Sequence, residues 1–151
     1  MITFHVERMA DMIAEAAPLL EAHWEEIAHN QDKIKLNPDY KQYEIMETMG
    51  MLHIVTARDE GRLVGYCITF LVRHLHYSDH VYAMNDILYV RPENRRGSVG
   101  ARLIHFTEER LAELGCSVTN YHIKPEHDFS PLLIKQGYKL TEYQYGKYIG
   151  G

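Results

Sequence analysis

A basic turn between a hydrophobic segment and an amphipathic segment carries the most specific chemistry in this sequence. Two adjacent arginines, Arg95 and Arg96, are followed closely by Gly97 and Gly100. The first N–H groups of a helix have no partner within the helix and carry a partial positive charge. Arginine adds charge-assisted hydrogen bonds to phosphate oxygens, and glycine lets the backbone come close to a ligand. The turn therefore predicts an anion site that accepts a pyrophosphate.

Other phosphate-binding loops do not fit this stretch. The chain contains neither a GxxxxGK[ST] motif nor a GxGxxG motif. From the loop alone, the alternative that it merely caps a helix stays open.

A single acidic residue, Asp86, precedes the turn within a hydrophobic segment. Strand alternation predicts that it lies on the same face as Leu88 and Val90, where a carboxylate is unusual. With an ordinary pKa near 3.9, an aspartate is a weak base, so we expect it to orient a substrate or to relay a proton through water. A partly solvated Asp86 that pairs with a basic side chain is the alternative.

The ten histidines and two cysteines raise the question of a metal site or a disulfide. His74 and His76 lie on one face of a predicted strand, with His80 across a turn, but zinc sites usually add cysteine or a third well-placed ligand. We therefore predict no metal, and interpret these histidines as a polar hairpin at the rim of a cleft. Cys67 and Cys116 are expected to be reduced thiols.

The elements that must position these residues follow from periodicity and turn residues. We predict a strand at 2–6, a helix from Met9 that breaks or kinks at Pro18, and a second helix that ends at Gly50. Three antiparallel strands follow at 52–57, 63–72 and 81–90. A helix at 100–114, a strand at 117–123, a short helix at 129–136 and a β-rich segment at 138–148 complete a mixed α/β (α+β) order.

Composition limits the classes of protein to consider. A chain of 151 residues with 46% apolar and 25% charged residues predicts one globular domain over 1–151. The formal net charge of −5 argues against a nucleic-acid partner, which requires clustered basic residues. Because there is no long apolar run and no signal-peptide pattern, we expect a cytoplasmic protein without a membrane partner.

The turn and two further segments resemble the GNAT superfamily of acetyltransferases. The family's cofactor motif, Q/R-x-x-G-x-G/A after a strand that ends in Leu-Tyr-Val, matches with Arg95 first, Ser98 in place of the middle glycine and Gly100 last. Residues 129–138 resemble the second motif of the family, a short helix followed by Gly-Tyr. Residues 61–66 resemble its hairpin, so the resemblance covers about 52–148.

The resemblance implies a fold and a cofactor. The expected fold is a GNAT-like, mostly antiparallel, twisted central sheet with splayed strands, flanked by helices. The expected acetyl donor is acetyl-CoA, whose pantetheine arm would pair with the backbone of Leu88, Tyr89 and Val90. Its pyrophosphate would lie on the loop formed by Arg95, Arg96, Gly97, Ser98, Val99, Gly100 and Ala101.

The resemblance also implies catalytic roles in acetyl transfer to a primary amine by direct attack in a ternary complex. Asp86 matches an acidic residue that several members carry before Leu-Tyr-Val. Leu133 stands where many members have the tyrosine acid, which leaves His122 as a substitute candidate or as a structural histidine. Glu126 replaces a common asparagine. Tyr138, Tyr143 and Tyr145 are weaker candidates for the acid.

The acceptor and the assembly stay open. The acceptor hypotheses are a small cationic amine and a protein lysine or N-terminal amine. A non-catalytic CoA-binding sensor or interaction module is the third hypothesis, since the loop has Ser98 and the second motif lacks its tyrosine. Because dimers are common in the family, a homodimer is one state to expect.

Overall fold

The computed structural model describes all residues from 1 to 151 and contains five strands and four helices. In chain order they are β1 (Ile2–Val6), α1 (Met9–Ile27), α2 (Tyr40–Thr48), β2 (Leu52–Asp59), β3 (Arg62–Arg73), β4 (Val81–Val90), α3 (Val99–Glu113), β5 (Cys116–Asn120) and α4 (Ser130–Lys135). Single 3₁₀ turns lie at Pro92–Asn94 and Pro125–His127. The predicted mixed α/β order is confirmed up to α4.

The five strands form one sheet in the order β1-β2-β3-β4-β5. The first four strands pair antiparallel, whereas β5 runs parallel to β4. The β4–β5 pairing ends at Met84 and Asn120, so the rest of β4 has no neighbour on that side. The expected mostly antiparallel sheet with splayed strands is therefore present.

Two hydrophobic clusters cover the two faces of the sheet. One contains Met12, Ala16 and Leu19 of α1 and packs them on strand residues that include Tyr66 and Tyr89. The other packs α3 on the opposite face, against small and branched residues of the central strands: Val55, Ala57, Val64, Cys67 and Val90. Neighbouring residues of β4 thus face different helices, which places this strand between two layers.

The expected break at Pro18 is absent, because α1 runs without interruption from Met9 to Ile27. Proline removes one backbone donor and normally disrupts a helix interior. Here Pro18 faces solvent, while Ala16 and Leu19 on either side are buried at 3% and 6% exposure. Packing of the apolar face on the sheet therefore offsets the lost hydrogen bond.

The prediction of a β-rich end at 138–148 is wrong. No strand follows α4, and residues 139–151 make no backbone hydrogen bond. Tyr143 and Tyr145 are 77% and 94% exposed. Strand-favouring residues need a neighbouring strand, and β propensity by itself supplies none.

Candidate active site

The basic turn presents a run of unpaired backbone donors. Gly97 has a φ of +98°, a conformation that favours glycine, and α3 begins two residues later. The first backbone hydrogen bond of the helix is donated by Arg102 N–H to the Ser98 carbonyl at 2.9 Å. The six N–H groups from Arg96 to Ala101 have no acceptor in the protein. This is the arrangement that binds an anion at a helix N-terminus.

The two arginines of the turn have different surroundings. Arg95 Nη1 and Nη2 donate to the Glu26 carboxylate at 2.5 and 2.9 Å, and its Nε donates to the Val90 carbonyl at 2.8 Å. The Arg95 guanidinium holds the pKa of Glu26 below its usual range. Arg95 thus links the turn to α1 and β4, while the exposed Arg96 forms no ion pair. Of the two predicted phosphate ligands, only Arg96 is free.

The end of β4 exposes one backbone edge where the strands splay. Leu88, Tyr89 and Val90 pair on one side with β3, and no strand pairs with their other side. Leu88 and Val90 pack toward α3, whereas Tyr89 packs toward α1. Their side chains therefore pack into the core, and their backbone edge stays open. The pairing of this edge with a pantetheine arm, which the family resemblance implies, stays a prediction.

Asp86 lies at a β-bulge and faces the opposite side of the sheet from the predicted one. The register passes from Ile68–Ile87 to Thr69–Asn85, so Asp86 has no partner in β3. An extra residue in one strand breaks the alternation of side chains. The Asp86 carboxylate accepts a hydrogen bond from Tyr43, whose ring packs on the α1 side of the core. The predicted common face with Leu88 and Val90 is wrong for this reason.

The surroundings of Asp86 change its acidity. Burial raises the pKa of the carboxyl, while the Tyr43 hydrogen bond and the charge of His122 lower it by less. The net pKa is above the ordinary value, so Asp86 is a stronger base than the sequence suggested. Burial and the bond to Asp86 also raise the pKa of Tyr43, which stays a neutral donor.

Tyr43 falls within the predicted helix that ends at Gly50, but its hydrogen bond to Asp86 was not predicted. The two residues are 43 positions apart, and nothing in the spacing links them. The one available signal was that Tyr43 shares its helix face with Met46, which also packs on the core.

The remaining proton-transfer candidates separate into two groups. His122 lies exposed just beyond the end of β5, close enough for its charge to affect Asp86. By contrast, the Tyr138 hydroxyl donates to Glu108 of α3 at 2.8 Å, and Tyr143 and Tyr145 are exposed in the C-terminal segment. Of these four candidates, only His122 contributes charge at Asp86, and no hydrogen bond joins the two residues.

A second residue that sequence analysis missed is His23 of α1. Its ring lies 5.1 Å from the ring of Tyr89, beside the Arg95–Glu26 pair. Burial lowers the pKa of His23 to about 4, so the ring is neutral at pH 7. Helical spacing could have found it, because His23 follows the buried Leu19 by four positions and the buried Ala16 by seven.

Two further structural observations concern a metal ion and a membrane. No group of three or more His, Cys, Asp or Glu side chains is arranged to hold a metal ion. None of the four helices combines the length and the apolar character needed to cross a membrane.

Comparisons with known proteins place this geometry in a family. The profile described as "Acetyltransferase (GNAT) family" matches residues 15–138. A search of curated protein sequences finds no match.

Many solved structures share the fold, and they include acetyltransferases with different acceptors. An aminoglycoside acetyltransferase from an uncultured soil metagenomic sample has 16% identity and a TM-score of 0.74, over 99% of this chain and 95% of that one. The ribosomal-protein-alanine N-acetyltransferase of Brucella melitensis has 20% identity and a TM-score of 0.69, over 100% of both chains. A predicted acetyltransferase with acetyl-CoA from Clostridium acetobutylicum has 11% identity and a TM-score of 0.73, over 98% of this chain and 96% of that one. With the profile match over most of its length, the chain belongs to the GNAT family of acetyltransferases.

Proposed function

We propose that the protein transfers the acetyl group of acetyl-CoA to a primary amine by direct attack in a ternary complex. One observation carries this proposal: the open backbone edge of β4 leads directly into the six unpaired N–H groups of the turn, and Asp86 lies on the same strand. An anion site, an extended backbone edge and a half-buried carboxylate are the parts that such a reaction requires.

The donor side fits acetyl-CoA. The N–H groups of Arg96 to Ala101, with the Arg96 side chain, would bind the pyrophosphate, and the backbone of Leu88 to Val90 would pair with the pantetheine arm. The Ser98 side chain makes no capping bond, so its hydroxyl is free to donate as well. When bound, acetyl-CoA would supply the acyl carbon that the amine nitrogen attacks, and the C–S bond would break with its electron pair on sulfur.

On the acceptor side, Asp86 would orient the amine and take its proton, directly or through water. Its raised pKa brings its basicity closer to that of the amine. Tyr43 would act as a positioning residue, since its hydroxyl fixes one carboxylate oxygen. His122, on the other side of the splay, would return a proton to the leaving sulfur.

The donor site is tested by thermal-shift titration with acetyl-CoA and with CoA. A ligand at 100 times its Kd adds about 2.7 kcal/mol of stability, which raises the Tm of a chain of this length by about 5–10 °C. Arg96→Ala should reduce this shift. No shift for wild type, from folded protein, would contradict the acetyltransferase proposal.

The Arg95–Glu26 pair requires separate variants, because Arg95→Ala would remove a brace of the turn together with any phosphate contact that Arg95 makes. Glu26→Gln removes the competing carboxylate and leaves Arg95 in place. A tighter acetyl-CoA Kd in Glu26→Gln would support a phosphate role for Arg95. An unchanged Kd would assign Arg95 to bracing alone.

Turnover then separates the enzyme from a CoA-binding module. Release of CoA thiol is followed with acetyl-CoA and a panel of small amines and peptides. A thermal shift with acetyl-CoA but no turnover of any amine would favour the non-catalytic alternative, which rests on Ser98 in the loop and on Leu133 in place of the family's motif tyrosine. Turnover of peptides alone would favour a protein acetyltransferase.

A further inference from the structure

The β-bulge of β4 turns two consecutive side chains toward the same helix layer. Ile87 packs with the cluster on the α1 side, and Asp86 accepts its hydrogen bond from Tyr43 on that side as well. In a regular strand, neighbouring side chains point to opposite faces. The position of the bulge therefore decides on which face of the sheet the Asp86 carboxylate lies.

The residue before the bulge, Asn85, is unusual for the middle of a strand. Asparagine is depleted in strands, and its amide is costly to bury unless it is hydrogen-bonded. Asn85 is nevertheless only 6% exposed. It also follows Met84, the last residue of β4 that pairs with β5. A buried amide thus lies at the point where both the bulge and the splay begin.

The Asn85 side chain bonds to the backbone of both strands at the bulge. Its Nδ2 donates to the Ile87 carbonyl of its own strand at 3.2 Å and to the Ile68 carbonyl of β3 at 3.3 Å. The same nitrogen lies 3.5 Å from the Cys67 sulfur. Ile68 and Ile87 are the pair that borders the register shift. The two N–H groups of one amide therefore tie the bulged strand to itself and to its neighbour.

An apolar residue at position 85 would leave the bulge without these bonds. The carbonyls of Ile68 and Ile87 would both lose a donor inside the sheet, where a missing hydrogen bond is unfavourable. A β-branched side chain would also favour regular pairing over an irregular strand. The amide at this position is thus a specific local support for the bulge.

We propose that Asn85 is a positioning residue for acetyl transfer, whose side chain holds the β-bulge and so keeps the Asp86 carboxylate on the α1 side, facing Tyr43. The inference rests on the proposed function, which takes Asp86 as the group that orients the amine and takes its proton. Asn85 itself points toward Cys67 of the cluster on the α3 side, so its part in the reaction is indirect.

A double-mutant cycle tests the link between Asn85 and Asp86. Asn85→Val removes the amide and should lower kcat/KM about 10-fold in the wild-type background, because the carboxylate is no longer held in place. In the Asp86→Asn background the same substitution should change kcat/KM by less than about 2-fold, since the group that it positions is already gone. Equal fold losses in the two backgrounds would overturn the inference.

Thr107→Val is the matched control for the loss of a buried hydrogen bond. Thr107 is fully buried on α3 and donates to the Leu103 carbonyl at 2.8 Å. Thr107→Val should lower Tm and leave kcat/KM unchanged. A loss of kcat/KM as large as that of Asn85→Val would reduce Asn85 to a stability role and overturn the inference. If Asn85→Val does not fold, Asn85→Ala, which cannot overpack the site, replaces it in every comparison.

A measurement without turnover separates this inference from the proposed function. The nuclear Overhauser effect between the Tyr43 ring and the side chain of Asp86 reports their contact in the protein without substrate. The signal should be present in wild type and in Thr107→Val, and weaker or absent in Asn85→Val. An undiminished signal in Asn85→Val would overturn the inference even where amines are acetylated. A diminished signal in a protein that acetylates no amine would support the role of Asn85 in the bulge and contradict only the proposed function.

Discussion

The two sides of the cleft are built in different ways. The proposed donor side, formed by Leu88–Val90 and the turn 95–101, comes from one short stretch of chain and offers backbone groups. The proposed acceptor side, formed by Asp86 and Tyr43, combines side chains from β4 and α2. A backbone site leaves a compact trace in the sequence, because glycines and helix starts are local. A side-chain site assembled from distant elements leaves almost none.

The largest effect should come from the acceptor side. Asp86→Asn keeps the size of the side chain and removes its basicity, so kcat/KM for any amine should fall by about 10²–10⁴. The acetyl-CoA thermal shift should persist, since the turn is untouched. Asp79→Asn, in the exposed β3–β4 turn, is the matched control and should keep full activity. Comparable activity in both variants would remove Asp86 from the chemistry.

The same variant has a predicted effect on stability. Burial raises the pKa of Asp86 in the folded state, so the folded protein binds more protons than the unfolded chain above pH 4. This contribution to stability is present at low pH and lost as pH rises through the folded pKa. Asp86→Asn should therefore have a higher Tm than wild type at pH 7. The difference should vanish near pH 3.5, and a lower Tm at pH 7 would contradict the burial argument.

His23 offers a second test, where α1 meets the donor side. Its pKa is lowered from 6.5 to about 4, so the unfolded chain binds more protons between these values. Stability from this group is present above pH 6.5 and lost as pH falls toward 4. Between pH 7.5 and 4, wild type should lose about 2 kcal/mol more than His23→Phe, which keeps a ring beside Tyr89. Urea denaturation at the two pH values measures the free energy of unfolding of wild type and of His23→Phe. Equal losses of this free energy in the two proteins would show that His23 is not held neutral.

The donor side is tested through its backbone. Gly97 has a φ of +98°, and an alanine there costs about 1–2 kcal/mol in this conformation. Gly97→Ala should raise the acetyl-CoA Kd about 5-fold or more, because relief of the strain moves the N–H groups. Gly61→Ala, at φ +85° in the β2–β3 turn, carries the same strain far from the cleft. Gly61→Ala should lower Tm by a similar amount and leave the acetyl-CoA Kd unchanged. Equal changes of this Kd in Gly61→Ala and Gly97→Ala would contradict a binding role for the turn.

The same contrast explains which features were predictable from the sequence. Strands, helices and the turn were predictable, since periodicity and glycines are local, and the open edge at Leu88–Val90 followed from the family resemblance. The face of the sheet on which Asp86 lies was not predictable. A β-bulge shifts the alternation of side chains by one residue, and the alternation pattern in the sequence does not mark its position. The continuity of α1 through Pro18 and the absence of a final strand depend on packing and pairing partners, which lie elsewhere in the chain.

The smallest effect should come from Tyr43, which acts on the reaction only through Asp86. Its hydrogen bond lowers the pKa of Asp86, so Tyr43→Phe should move the acid limb of the kcat/KM profile to higher pH. At pH 7 the kcat/KM of Tyr43→Phe should be about 3- to 10-fold lower than that of wild type, a change equivalent to the loss of one hydrogen bond. Tyr138→Phe removes the same atom from a tyrosine bonded to Glu108 and should leave the limb in place. If Tyr43 has only a structural role, Tyr43→Phe will lower Tm and leave the acid limb of the kcat/KM profile in place. A shifted acid limb would assign Tyr43 to the acceptor side, where it changes the pKa of a residue 43 positions away.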